Sequence, residues 1–149
     1  MDLSIITPAH NEEGIIASFV DNAVRFLRRN KIAGEVLVVE NGSIDDTLTI
    51  LRRLEKKFPE LTVITLPTGN KGLALKAAMT KAKGEKLITI DTDLWSEKFV
   101  KQSLVKLNTF DVVVGSRSVA GGKDKRSFFA RLLNAGYYFP YRLFFNFKG

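Results

Sequence analysis

Five short, largely apolar runs alternate with segments of helical periodicity, and few folds accept that alternation. The runs are residues 3–7, 36–39, 61–66, 87–90 and 112–114. Between the first two, Ile16, Phe19, Val20, Ala23 and Leu27 recur at a helix's spacing. Between the next two, Leu48, Leu51, Leu54 and Phe58 do the same, with Ser43 or Asp45 placed to cap the start. Residues 72–82 form a small-residue helical stretch and residues 97–107 a fourth. Strands apolar along their whole length, each followed by a helix, predict an α/β fold with a mostly parallel sheet covered on both faces. Pro8 is expected to end the first strand.

A length of 149 residues suits one such domain. No cysteine is present, so disulfides and thiolate metal sites are excluded and a reducing, cytoplasmic setting is expected. The first residues lack the basic and apolar stretches of a secretion signal. Net charge is +7, and its placement is uneven: from Arg117 onward seven basic residues face one acid, Asp124, among nine of the fifteen aromatic residues. Two segments are therefore expected, a domain over residues 1–122 and a basic, aromatic, amphipathic helical tail over residues 123–149. The tail has no uncharged stretch long enough to span a bilayer, and interfacial helices facing an anionic surface fit it better. Its composition also suits nucleic acid, but that reading leaves the strand-end motifs without a role.

In parallel sheets ligands bind beyond the carboxyl ends of the strands. The first run leads into TPAHNEE, the second into ENGSIDDT, the third into TGNKGLA, the fourth into DTD and the fifth into GSR. Turn and cap chemistry accounts for much of each motif taken alone. It does not call for Glu40 and Asn41 at the end of a strand, where both are expected to face the cleft. Nor does it call for Asp91 and Asp93 two residues apart, whose repulsion a hard divalent cation relieves. Lys71 beside the start of a helix favours an anion, and Arg117 can clamp a phosphate. A glycine-rich dinucleotide fingerprint after the first strand is absent.

In this order the motifs resemble the inverting glycosyltransferases of family 2, most of all the dolichyl-phosphate mannose synthases and related polyprenyl-phosphate sugar transferases. The resemblance implies a GT-A fold, a nucleotide-binding αβα sandwich, and Mg2+ or Mn2+ as cofactor. It implies transfer of a sugar from a nucleoside-diphosphate sugar, of the GDP-mannose or UDP-glucose type, to a polyprenyl or dolichyl phosphate at the cytoplasmic face of a membrane. Pro8, His10, Glu12, Glu40, Asn41, Lys71, Asp91 and Thr92 are the donor-binding candidates. Asp91 and Asp93 are the metal ligands, and Asp93, Arg117 and Arg131 the catalytic candidates. Three positions depart from the family pattern. His10 replaces a tyrosine. Glu40-Asn41 replaces a pair of aspartates, although Asn41 can still accept a hydrogen bond. Trp95 replaces a glutamine that helps to hold the metal. Family domains also continue with further sheet and acceptor-site elements, which makes this chain short for an enzyme of the group. A module that binds the donor without transferring sugar is the alternative.

Overall fold

The computed structural model describes residues 1–67 and 69–115. Residues 1–113 form one compact unit, and residues 114–149 belong to a second. Ser116, Arg117, Arg131 and the whole aromatic tail lie outside the described residues, as does Thr68.

The first unit runs β1 Leu3–Ala9, α1 Ile16–Arg29, β2 Gly34–Asn41, α2 Thr47–Lys57, β3 Leu61–Leu66, α3 Lys71–Lys81, β4 Lys86–Thr89, a 3-10 turn at Thr92–Leu94, and α4 Glu97–Lys106. The four strands form one parallel sheet in the order β3-β2-β1-β4. Chain direction across the sheet reverses between β1 and β4, because β2 and β3 are added on one side of β1 and β4 on the other. A crevice therefore opens at the carboxyl ends of those two strands.

Side-chain alternation divides the apolar residues between two layers. Leu3 and Ile5 of β1 with Val36 and Val38 of β2 face α1, whose Phe19, Val20, Ala23, Val24 and Leu27 are buried against them. Leu51 of α2 and Val100 of α4 join the same cluster. Ile6, Leu37, Val39 and Ile64 face the opposite way and meet Ala74 and Ala78 of α3. Methyl side chains there let α3 lie close to the sheet. Phe19 and Phe26 are the largest fully buried side chains, and each contributes on the order of 2–3 kcal/mol through burial.

Two expectations change. β1 does not stop at Pro8 but continues to Ala9, paired Pro8 with Val39 and Ala9 with Glu40. On its other side the pairing of β1 with β4 runs from Leu3–Lys86 only as far as Ile6–Thr89. Proline has no N–H to donate, and it is tolerated because β4 has already left that edge. Residues 112–115 form no strand, and Val112 is 76% exposed. Three consecutive valines carry β-propensity, but a strand also needs a neighbour to pair with, and none of the described residues supplies one.

At the amino ends of the strands a polar latch holds the turn before β4. The buried Glu35 carboxylate accepts from the Ser4 hydroxyl at 2.7 Å and from the Lys83 amide at 2.6 Å, while the Gly84 amide donates to Ser4 Oγ at 2.8 Å. Both bonds fall on Oε1, so this buried carboxylate is held by a hydroxyl and a backbone amide of the protein itself. Among the described residues no helix is long and apolar enough to cross a membrane.

Candidate donor-binding cleft

A cleft of about 280 Å³ lies at the carboxyl ends of the strands, lined by Pro8, Ala9, His10, Glu12, Asn41, Lys71, Asp91, Thr92 and Asp93. Eight of these were candidates from sequence; Ala9 was not, because a strand methyl group carries no chemical signature. Glu40 is the described candidate that the cleft does not include. It is 4% exposed, and its carboxylate accepts from the Ser43 amide at 2.5 Å. Consecutive strand residues point to opposite faces, so Glu40 and Asn41 cannot both turn to the cleft. Glu40 instead closes the turn at Gly42, whose φ of 72° suits glycine.

The loops after β1 and β2 are tied together reciprocally. The Asn11 amide donates to Ser43 Oγ at 3.0 Å, and Asn11 Oδ1 accepts from the Ile44 amide at 2.9 Å. The Glu12 amide donates to Thr47 Oγ1 at 2.8 Å, Glu13 N–H to Asp45 Oδ2 at 3.2 Å, and Asp46 N–H to Glu13 Oε2 at 3.0 Å. Asn11 adopts φ 54°, a conformation that asparagine tolerates better than most residues. The cap position of α2 is Asp46 and not Ser43 or Asp45; Asp45, one residue earlier, joins the loop after β1 to the start of α2 by accepting from Glu13 N–H and from Thr47 N–H at 3.0 Å. Desolvation pushes the Asp45 carboxyl up, but hydrogen bonds from Thr47 and Glu13 outweigh it and hold the group below its ordinary value. Its contribution to stability is complete above the unfolded-state pKa and is lost as pH falls through the depressed folded-state value.

The third loop joins through Asn41. The Asn70 amide donates to Asn41 Oδ1 at 2.9 Å, and His10 Nδ1 donates to the Asn41 carbonyl at 2.9 Å. Asn70 then caps α3 by accepting from Leu73 N–H at 3.0 Å, so this helix start offers fewer open N–H groups than its sequence suggested. Lys71 Nζ sits 2.7 Å from Asp91 Oδ1, with both side chains partly exposed. Among the described residues this is the one side-chain bond linking the acidic loop to the other three.

Whether these residues suit a divalent metal can be judged from the donor set. Asp91 and Asp93 offer hard carboxylate oxygens in the same cleft, and no group of three or more acidic, histidine or cysteine side chains that could hold an ion exists among the described residues. Two carboxylates fit a cation such as Mg2+ or Mn2+, which binds through one or two protein carboxylates and completes its shell with water and phosphate oxygens.

Trp95 plays no part in that set. Its ring packs edge-on against Phe19, with centroids 5.6 Å apart, and against Phe26 at 6.0 Å. The side chain anchors the acidic loop to α1 and takes no place beside the carboxylates. Trp95→Gln is accordingly expected to cost about 2 kcal/mol in urea unfolding, since a partly buried aromatic is lost. Unchanged stability would show that the indole does not hold the loop.

The profile of the family described as Glycosyl transferase family 2 matches residues 4–148. The chain is 32% identical to a dolichyl-phosphate beta-glucosyltransferase of Drosophila melanogaster, with 97% of this chain and 50% of that protein covered. It is 31% identical to the dolichol-phosphate mannosyltransferase of Pyrococcus furiosus, with 91% and 39% covered. The chain thus spans about half or less of the length of these relatives. Among solved structures it is similar to glucosyl-3-phosphoglycerate synthase from Mycobacterium tuberculosis in complex with Mn2+, UDP and phosphoglyceric acid. That match has a TM-score of 0.57 and 27% identity over 72% of this chain and 39% of that one. The parallel sheet and its helices match the GT-A fold of such glycosyltransferases.

Proposed function

The chain belongs to glycosyl transferase family 2, and we propose that its strand-end cleft binds a nucleoside-diphosphate sugar for transfer, with inversion, to a polyprenyl phosphate. The observation that carries this reading is the convergence of four separate loops on one cleft, with amide and imidazole groups from the loops after β1 and β2 and a lysine and two aspartates from the loops after β3 and β4. The first pair suits a nucleoside and the second a diphosphate.

Pro8, His10, Glu12 and Asn41 line the nucleoside side, and the ties between their loops hold them in place before a ligand arrives. Lys71, now on Asp91, has a flexible ammonium that can move to a phosphate oxygen. Asp91 and Asp93 are the residues that would hold Mg2+ or Mn2+, and a bound cation there supplies charge neutralisation for the departing diphosphate. Trp95 keeps the acidic loop in position from beneath.

A lipid phosphate is the acceptor best matched to the sequence. It is anionic at neutral pH and attacks without a general base, whereas a hydroxyl needs one. Beyond Arg117 the sequence has only Asp124 as an acid, while Arg117 and Arg131 can bind phosphate oxygens. The basic, aromatic tail suits the cytoplasmic surface of a membrane, where such an acceptor resides. The relatives, a dolichyl-phosphate glucosyltransferase and a dolichol-phosphate mannosyltransferase, support the same acceptor class and leave both UDP-glucose and GDP-mannose as donor types.

Incubating the chain with each radiolabelled donor, Mn2+ and a polyprenyl phosphate in detergent tests the proposal. Label is expected in the lipid fraction with one donor. Donor binding without transfer would instead establish a binding module, and absence of both would overturn the reading.

A further inference from the structure

We infer that Lys71 is a resident counter-ion for Asp91, one that opposes binding of a divalent cation by itself and gives way when a diphosphate binds with it. The inference rests on the cleft being the metal and diphosphate site proposed above. It concerns the coupling between those two ligands, which a single lysine would carry.

The contact is direct. Lys71 Nζ lies 2.7 Å from Asp91 Oδ1. Asp91 stands at the N-cap of the 3-10 turn Thr92–Leu94, yet its carboxylate makes no capping bond there and is held by the lysine of another loop. Lys71 is the first residue of α3, whose first turn contains no acid. A helix start carries partial positive charge, against which an ammonium is unfavourable. An anion beside Lys71 is therefore favoured by the lysine and by the helix start together. In this structure Asp91 is that anion.

A carboxylate has one unit of charge to share. With the ammonium on Asp91, a dication brought to Asp91 and Asp93 meets a like charge at short range, and half of the donor set is already neutralised. Returning the ammonium to water would forfeit the ion pair, whereas passing it to a phosphate oxygen exchanges one anionic partner for another. A diphosphate thus takes the lysine from Asp91 as it brings oxygen ligands for the cation. Linkage makes the effect reciprocal, since a cation drawn to Asp91 releases the lysine towards the phosphate. The exchange needs no repacking. The Lys71 and Asp91 side chains are 61% and 43% exposed, and the ammonium moves on a flexible stem through solvent. That exposure also limits the effect to the scale of a surface ion pair.

Lys71→Met removes the counter-ion, and Lys76→Met removes the same charge from an exposed position on α3 that does not line the cleft. Two affinities of the full chain would be measured at about 0.15 M salt, where distant charges are screened. Mn2+ alone is read from loss of the free-ion electron paramagnetic resonance signal. UDP and GDP are titrated calorimetrically in saturating Mn2+. In Lys71→Met, Mn2+ alone is expected to bind about three- to fivefold more tightly and the preferred nucleotide about tenfold more weakly. In Lys76→Met both affinities should stay within about twofold of the wild type. Opposite signs in one variant are the signature of a counter-ion exchanged between two ligands.

Mn2+ alone bound no more tightly by Lys71→Met than by the wild type, including no detectable binding by either, would overturn the inference. So would an equal gain in Lys76→Met, because overall charge would then account for it. Tighter Mn2+ binding with unchanged nucleotide affinity would overturn it as well, since the lysine would not pass to the phosphate. In each of these cases Mn2+-dependent nucleotide binding by the wild type leaves the cleft's assignment standing. Its absence would remove the donor site itself, and the inference with it.

Discussion

Asp93→Ala is expected to weaken Mn2+-dependent binding of the preferred nucleoside diphosphate by on the order of 100-fold, the loss of a charge-assisted ligand worth about 3 kcal/mol. The fold should be unaffected. Asp93 is exposed, lies in the short turn after β4, and makes no hydrogen bond or ion pair among the described residues. Removing an exposed side chain that holds no described residue is expected to change stability by about 0.5 kcal/mol or less. Calorimetric titration with and without Mn2+, beside a thermal melt, separates the two quantities. Unaltered affinity in a folded Asp93→Ala protein would count decisively against a metal-bridged donor. Asp91 is a less clean target, because its loss also frees Lys71 from its present partner.

The largest expected effect on folding falls far from the cleft, at Gly84. A Cβ there would lie 2.3 Å from the Ser4 backbone nitrogen, 2.5 Å from the Leu3 carbonyl carbon and 2.8 Å from Ser4 Oγ. The first two are main-chain atoms of the central strand. Neither can yield without disturbing the pairing of Ser4 with Glu35 on one side and with Leu87 on the other. The Gly84 amide also donates into the Ser4–Glu35 latch, and displacing the turn would leave the buried Glu35 carboxylate short of partners. Gly84→Ala is therefore expected to cost at least about 3 kcal/mol, and Gly84→Val more, against a total stability of roughly 5–15 kcal/mol for a domain of this kind. Gly14 is the matched control, since a Cβ there meets nothing within 4 Å. Its alanine variant is expected to lose little or nothing. Urea unfolding of both variants makes the comparison, and a Gly84→Ala protein as stable as the wild type would refute the packing argument.

Much of the fold was legible because the strands are apolar on both faces and the helices are not. Leu61–Leu66 occupies the run read from sequence, and α1 buries the five residues whose spacing marked it. The extension of β1 past Pro8 was not legible, because it depends on where β4 stops pairing. Val112 failed for the same reason: local propensity does not specify a partner strand. In the cleft, residue type and order were enough to nominate candidates, but the direction of a side chain was not always read correctly. Strand alternation already implied that Glu40 and Asn41 face opposite ways. Trp95 stands where the family pattern places a polar group near the metal, and only packing against Phe19 and Phe26 shows that it serves the core. The bond between Asn70 N–H and Asn41 Oδ1 joins residues 29 apart through a backbone donor, and no residue pattern announces such a contact.

The central claim, that Asp91 and Asp93 present a divalent cation to a diphosphate in this cleft, is tested most directly by anomalous diffraction. Crystals of the full chain would be grown with Mn2+ and the nucleoside diphosphate that calorimetry selects. One manganese peak is expected within coordination distance of an Asp93 carboxylate oxygen and of the phosphates, with the base beside Asn41. Manganese or nucleotide ordered elsewhere, and both aspartates without a metal contact, would contradict it.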